Sequence, residues 1–186
     1  MFSKYSTKDF VFAALMGALM FILSFAFGSV LNVALGNPAA SGFVSTFIQA
    51  IIMTIAVLMV RKFGIITLMW LIYGLLAIPT NMLGAMPAPF KIFLALGIGL
   101  IFDLVVRLGK YRKWSLFVGF IAMYAVLVPA TLYIYITLGL PNADLLLKTA
   151  PILFAVFLIE SFIGIFVGIK IYNRIKEKAF VKQLAI

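Results

Sequence analysis

With 186 residues, 66% of them apolar, the chain carries more hydrocarbon than a soluble domain of its length can bury. It contains neither Cys nor His, which excludes disulfides, thiol catalysis and the usual zinc, haem and iron–sulfur ligation. A formal charge of +10 would suit nucleic acid, but the basic residues stand at the ends of apolar runs, so the chain reads as an all-α integral membrane protein that binds no nucleic acid.

Six apolar runs approach the roughly 20 residues that cross about 30 Å of hydrocarbon, at 10–35, 42–60, 64–78, 90–106, 114–138 and 151–171. The first holds two overlapping small-xxx-small pairs, Ala13 with Gly17 and Ala14 with Ala18, which allow a close helix crossing. The second carries Ser45, Thr46 and Gln49 toward one end. The third is short and contains Trp70 and Tyr73; Pro79 stops it, and the chain is expected to continue irregularly through 81–84. On the fourth, Lys91, Ala95 and Gly99 form a row, and Asp103 with Arg107 is most simply an i, i+4 pair. The fifth ends with Tyr133 and Tyr135 on different faces, at a depth where an aromatic belt is expected. The sixth has the row Glu160, Gly164, Gly168, which sets a carboxyl on a small-residue face directed at other helices.

Charge orders the connections. Thirteen of the fifteen lysines and arginines fall at the two termini, between the second and third runs, and between the fourth and fifth; Lys91 and Lys148 are the exceptions. The positive-inside rule then predicts six transmembrane helices with both termini in the cytoplasm, in one transmembrane domain spanning 1–186 without internal repeat or linker. The first run is as long as a full span and lacks a short core and cleavage box, so a cleaved signal peptide is not expected. The basic segment 173–183 is expected to lie against anionic lipid head groups of the bilayer.

Polar side chains are uneven in depth. The outer half holds Ser24, Ser29, Asn32, Asn37, Ser45, Thr46, Gln49, Asn81, Lys91, Thr131, Tyr133, Tyr135, Thr137 and Asn142, with Glu160 and Ser161 near mid-depth; the inner half offers little beyond Thr54, Thr67, Asp103 and Ser115. A channel needs polar lining at every depth, whereas this pattern offers it at the outside only. Polar groups in lipid mark functional sites, and a charge at the bilayer centre costs about 2.5–3.5 kcal/mol on insertion scales, so Glu160 must be paired or protonated. A Lys91–Glu160 salt bridge tying two helices and direct contact of either with a solute are both open readings. Asn37-Pro38-Ala39 spells the aquaporin tripeptide, but a single copy in a loop is a chance match. HExxH, GxSxG and P-loop patterns do not occur, and the chain is not expected to be an enzyme or to hold a cofactor or metal.

Six helices with both ends inside, a basic cytoplasmic rim and Ala14-Leu-Met-Gly-Ala18 on the first helix resemble the substrate-binding S component of energy-coupling factor (ECF) vitamin transporters. In that family an Ala-x-x-x-Ala motif meets a transmembrane T subunit, so the resemblance implies docking through Ala14, Gly17 and Ala18. It also implies a vitamin-like small-molecule ligand held near the outer surface under outer loops, two cytoplasmic ATPase subunits as further partners, a prokaryotic plasma membrane, and transport by toppling of the binder. The ligand contacts expected are Glu160 and Lys91 as charges, Asn81 and Gln49 as hydrogen-bonding groups, and Trp70 or Tyr133 as a stacking surface. The alternative is a self-contained small-solute facilitator or channel.

Overall fold

The structure, a computed structural model, describes residues 5–35, 40–84, 86–141 and 143–177, with the side chains of 31–35, 40, 41 and 43 outside that description. Asn37, Asn142, the side chain of Asn32 and the end of the basic C-terminal segment therefore lie outside the described residues. Six helices run in chain order: α1 Thr7–Leu35, α2 Ala40–Met59, α3 Ile65–Ala77, α4 Ala88–Leu108, α5 Lys113–Thr137 and α6 Ala143–Ile175. Among the described residues there is no strand. Each helix coincides with one apolar run, and α1, α4, α5 and α6 are long and apolar enough to cross a bilayer.

α6 begins well before the expected start at Pro151. Asp144 and Lys148 are exposed, while Leu146 and Ala150 face inward, so the amphipathic period of 3.6 extends through the proline. Pro at that point removes one intrahelical donor without ending the helix.

The helices close into a ring. α1 packs on α2 and α3, α3 on α4, α4 on α5, α5 on α6, and α6 back on α2. Small residues set the closest crossings. A Cβ at Gly164 would lie 2.7 Å from Ala50 Cβ and 2.9 Å from the Phe47 carbonyl oxygen, and one at Gly168 would lie 3.0 Å from the Ile51 carbonyl oxygen, so the Gly164–Gly168 face is pressed against α2. Inside the ring, Met53, Met69, Ile98, Phe102, Phe120 and Met123 are fully buried and fill the half of the bundle nearest the basic connections.

α3 has 13 residues, about 20 Å at 1.5 Å each, and cannot span hydrocarbon alone. Its first and last backbone groups need partners, and α4 supplies both. At the α3 N-terminus, where the N-cap is Gly64 in a left-handed conformation without a capping side chain, Asp103 accepts from Thr67 N at 2.8 Å, Thr67 Oγ1 at 2.7 Å and Ile66 N at 3.4 Å. At the C-terminal end, buried Lys91 donates to the Ala77 carbonyl at 3.0 Å and also to the Thr80 carbonyl. A carboxylate at the N-terminus and an ammonium at the C-terminus both agree with the helix dipole. This corrects one expectation and narrows an open reading. The Asp103 carboxylate crosses to α3, while Arg107 lies over the Phe63 ring at 5.1 Å; and Lys91 bonds the last α3 carbonyl and that of Thr80 in the following loop, with no salt bridge to Glu160.

At the basic end, Ser6 and Asp9 form a capping box at the start of α1, and Lys62 Nζ reaches Asp9 Oδ2 at 2.8 Å. The pair ties the α2–α3 turn to α1.

Candidate functional site

At the opposite end the ring opens into a cavity of about 350 Å³, bounded among the described residues by α2, α3, the α3–α4 loop, α4, α5 and α6. The volume falls in the range of small-molecule sites. Each helix contributes through its inward period. α2 presents Ser45, Thr46 and Gln49, one turn of helix; α3 presents Trp70 and Tyr73; α5 presents Tyr124, Leu127, Val128, Thr131 and Tyr135; α6 presents Leu146, Ala150, Leu153 and Phe157.

The wall is largely apolar, with five aromatic side chains set among aliphatic ones. Trp70 and Tyr73 rings lie 5.1 Å apart, and Tyr124 and Phe157 rings 5.6 Å apart. The tyrosine hydroxyls are held in place: the Gln49 amide Nε2 donates to Tyr73 Oη at 3.1 Å, and Tyr124 Oη donates to Ser161 Oγ at 3.2 Å, the serine proton going to the Phe157 carbonyl at 2.7 Å. Trp70 is 1% exposed, and among the described residues its Nε1 donor has no partner. An indole N–H left alone in a low-dielectric interior is costly.

Asn81, Met82, Leu83 and Gly84 of the α3–α4 loop form the rim. Leu83 holds a left-handed φ of 62° and Gly84 follows at 85°, with the Tyr135 hydroxyl against the Gly84 backbone. A left-handed Leu is strained, and the bonds that Thr80 makes brace the segment, its hydroxyl donating to Ala77 O and accepting from Met82 N.

The structure thus brings Gln49, Trp70 and Asn81 together at the cavity. Three other candidates lie off it. Lys91 is bonded to the end of α3. Tyr133 is 72% exposed on the outside of α5; two residues turn a helix by about 200°, so it is Tyr135 that faces inward. Glu160 lies one turn below Phe157, outside the lining, and its buried Oε2 has no partner among the described residues. Tyr124 and Phe157 were not singled out in the sequence because an aromatic residue inside an apolar run looks like core.

The three residues placed at a docking surface also divide. Gly17 is buried, and a Cβ there would lie 2.7 Å from the Met69 carbonyl oxygen and 3.1 Å from Ile72 Cβ, so it serves the α1–α3 crossing. Ala14 and Ala18 stay partly exposed beside Leu15, Leu19 and Ile22 on the outer face of α1.

A closed ring of apolar helices with a blind cavity at one end defines a helical, multi-pass integral membrane protein of the bacterial cell membrane. Residues 7–178 match the family Trep_Strep, described as hypothetical bacterial integral membrane protein, and the chain belongs to that family. No curated protein and no solved structure matches it.

Proposed function

We propose that this protein is the solute-binding S component of an ECF-type transporter, holding a small water-soluble nutrient at the cavity and working with a transmembrane T subunit and two ATPase subunits. Both termini then lie in the cytoplasm, and the cavity opens outward. The observation that carries the reading is the asymmetry of the bundle. Neutral polar groups and aromatic rings line a cavity at one end, while fully buried Met53, Met69, Ile98, Phe102 and Phe120 close the other half. A binder that moves as a body needs no path through that half, whereas a self-contained facilitator does. Among the described residues α1 adds nothing to the cavity wall, and its outer face, with Ala14 and Ala18 set among larger apolar residues, is exposed for a partner helix.

Two measurements test this. Native mass spectrometry of the gently purified protein should find a small solute bound. Ala14→Trp with Ala18→Trp should abolish uptake in cells and co-purification of the coupling subunit while leaving solute binding intact. Normal uptake by that double variant removes docking from this face, and solute flux into proteoliposomes holding this chain alone makes it a facilitator.

A further inference from the structure

Charge is missing from the cavity in a protein whose formal charge is +10. The wall contains no Asp, Glu, Lys or Arg among the described residues. The connections 36–39, 78–87 and 138–142, which join the helices at this end, contain none either. Of the charged side chains nearest in sequence, Lys91 is bonded to the Ala77 and Thr80 carbonyls, Asp144 and Lys148 are exposed while Leu146 and Ala150 form the wall, and Glu160 lies outside the lining, its buried Oε2 without a partner among the described residues. Helix ends add partial charges only, the N-termini of α2, α4 and α6 and the C-termini of α1, α3 and α5 sharing this end with opposite signs.

From this placement we infer that the cavity takes an uncharged, ring-containing solute, an inference that rests on the solute-binding reading above. The ring lies along Trp70, Tyr124 and Phe157, and its polar edge meets Gln49, Asn81 and Thr131, all neutral groups. An ionised group brought into this wall gives up its water and finds no counter-charge. The neutral form of a compound is therefore selected against its carboxylate and ammonium relatives by rejection of the charge.

The test uses the full chain purified in mild detergent. Solute released on denaturation is passed over anion and cation exchangers at pH 7. In parallel, unfolding is followed with three ring skeletons, pyridine, pyrimidine and purine, each as carboxamide, carboxylate and aminomethyl derivative. The released solute should pass both exchangers, and a carboxamide should stabilise the protein with affinity about 100-fold or more above its charged relatives. Leu146→Lys, which adds a cation to the wall, should raise the affinity of the matching carboxylate. Retention of the released solute on either exchanger, or a charged derivative binding within tenfold of its neutral partner, overturns the inference and leaves the solute-binding reading standing. No released solute and no stabilisation by any of the nine compounds removes the solute-binding reading, and this inference with it.

Discussion

Asp103→Ala removes the acceptor for three donors at the start of α3: Thr67 N at 2.8 Å, Thr67 Oγ1 at 2.7 Å and, more weakly, Ile66 N at 3.4 Å. A buried donor left unsatisfied costs about 1–3 kcal/mol, and the loss of an anion at a partly buried helix N-terminus adds up to about 2 kcal/mol. The Thr67 hydroxyl can turn to another acceptor, and the variant no longer buries a carboxylate, so the net loss is about 2 kcal/mol. For a chain of this length that lowers the unfolding temperature by about 4–8 °C. Asp103→Asn keeps one acceptor and should lose less. Thr67→Val removes only the hydroxyl, at about 1 kcal/mol, and in the double variant its effect should shrink because its partner is already gone. Thermal unfolding of the parent chain and the four variants in one detergent supplies the comparison. Asp103→Ala melting with the parent chain, or a double variant whose losses simply add, refutes the cap across helices.

Lys91→Met frees the Ala77 and Thr80 carbonyls and loosens the loop that forms the cavity rim, so solute affinity should fall by about tenfold with little change in unfolding temperature, read by calorimetric titration beside a melt. Gly164→Ala places a Cβ 2.9 Å from the Phe47 carbonyl oxygen and should destabilise by about 1–3 kcal/mol, whereas Gly97→Ala meets nothing within 4 Å and should be neutral or slightly stabilising in the same melt. Trp70→Phe shrinks a ring on the cavity wall and deletes an N–H without a partner among the described residues, so stability should hold within about 1 kcal/mol while solute affinity drops by about tenfold. Equal losses of both would assign the indole to packing alone.

The helices were legible because hydrocarbon length and the placement of Lys and Arg are one-dimensional signals. The row Gly164–Gly168 was legible for the same reason, since spacing alone defines a face, and the structure sets that face on α2. Gln49, Trp70 and Asn81 could be brought forward as polar or aromatic groups at one depth, and the structure gathers them at the cavity. Lys91 and Asp103 could not be read correctly, because their partners are backbone groups at the ends of α3. Those groups exist as unpaired donors and acceptors only once that helix is known to stop at 65 and 77. Gly17 illustrates a second limit. A small-residue stripe states that something comes close without stating whether it is α3 or another chain, and the Met69 carbonyl occupies the place. Tyr133 against Tyr135 turned on helix phase, which the α5 series Tyr124, Leu127, Val128, Thr131 resolves in favour of Tyr135.

Because the chain contains no cysteine, a single introduced thiol reports water at one chosen depth. Gln49→Cys and Thr131→Cys, both on the cavity wall, should react with a membrane-impermeant maleimide from the outer side of intact cells, and bound solute should protect them. Thr54→Cys and Met69→Cys, fully buried toward the basic end, should stay unreacted from the outer side of cells and from the cytoplasmic side of inverted vesicles. Rapid labelling of Thr54→Cys and Met69→Cys from the cytoplasmic side would show a continuous aqueous path, and the protein would then conduct its solute instead of holding it.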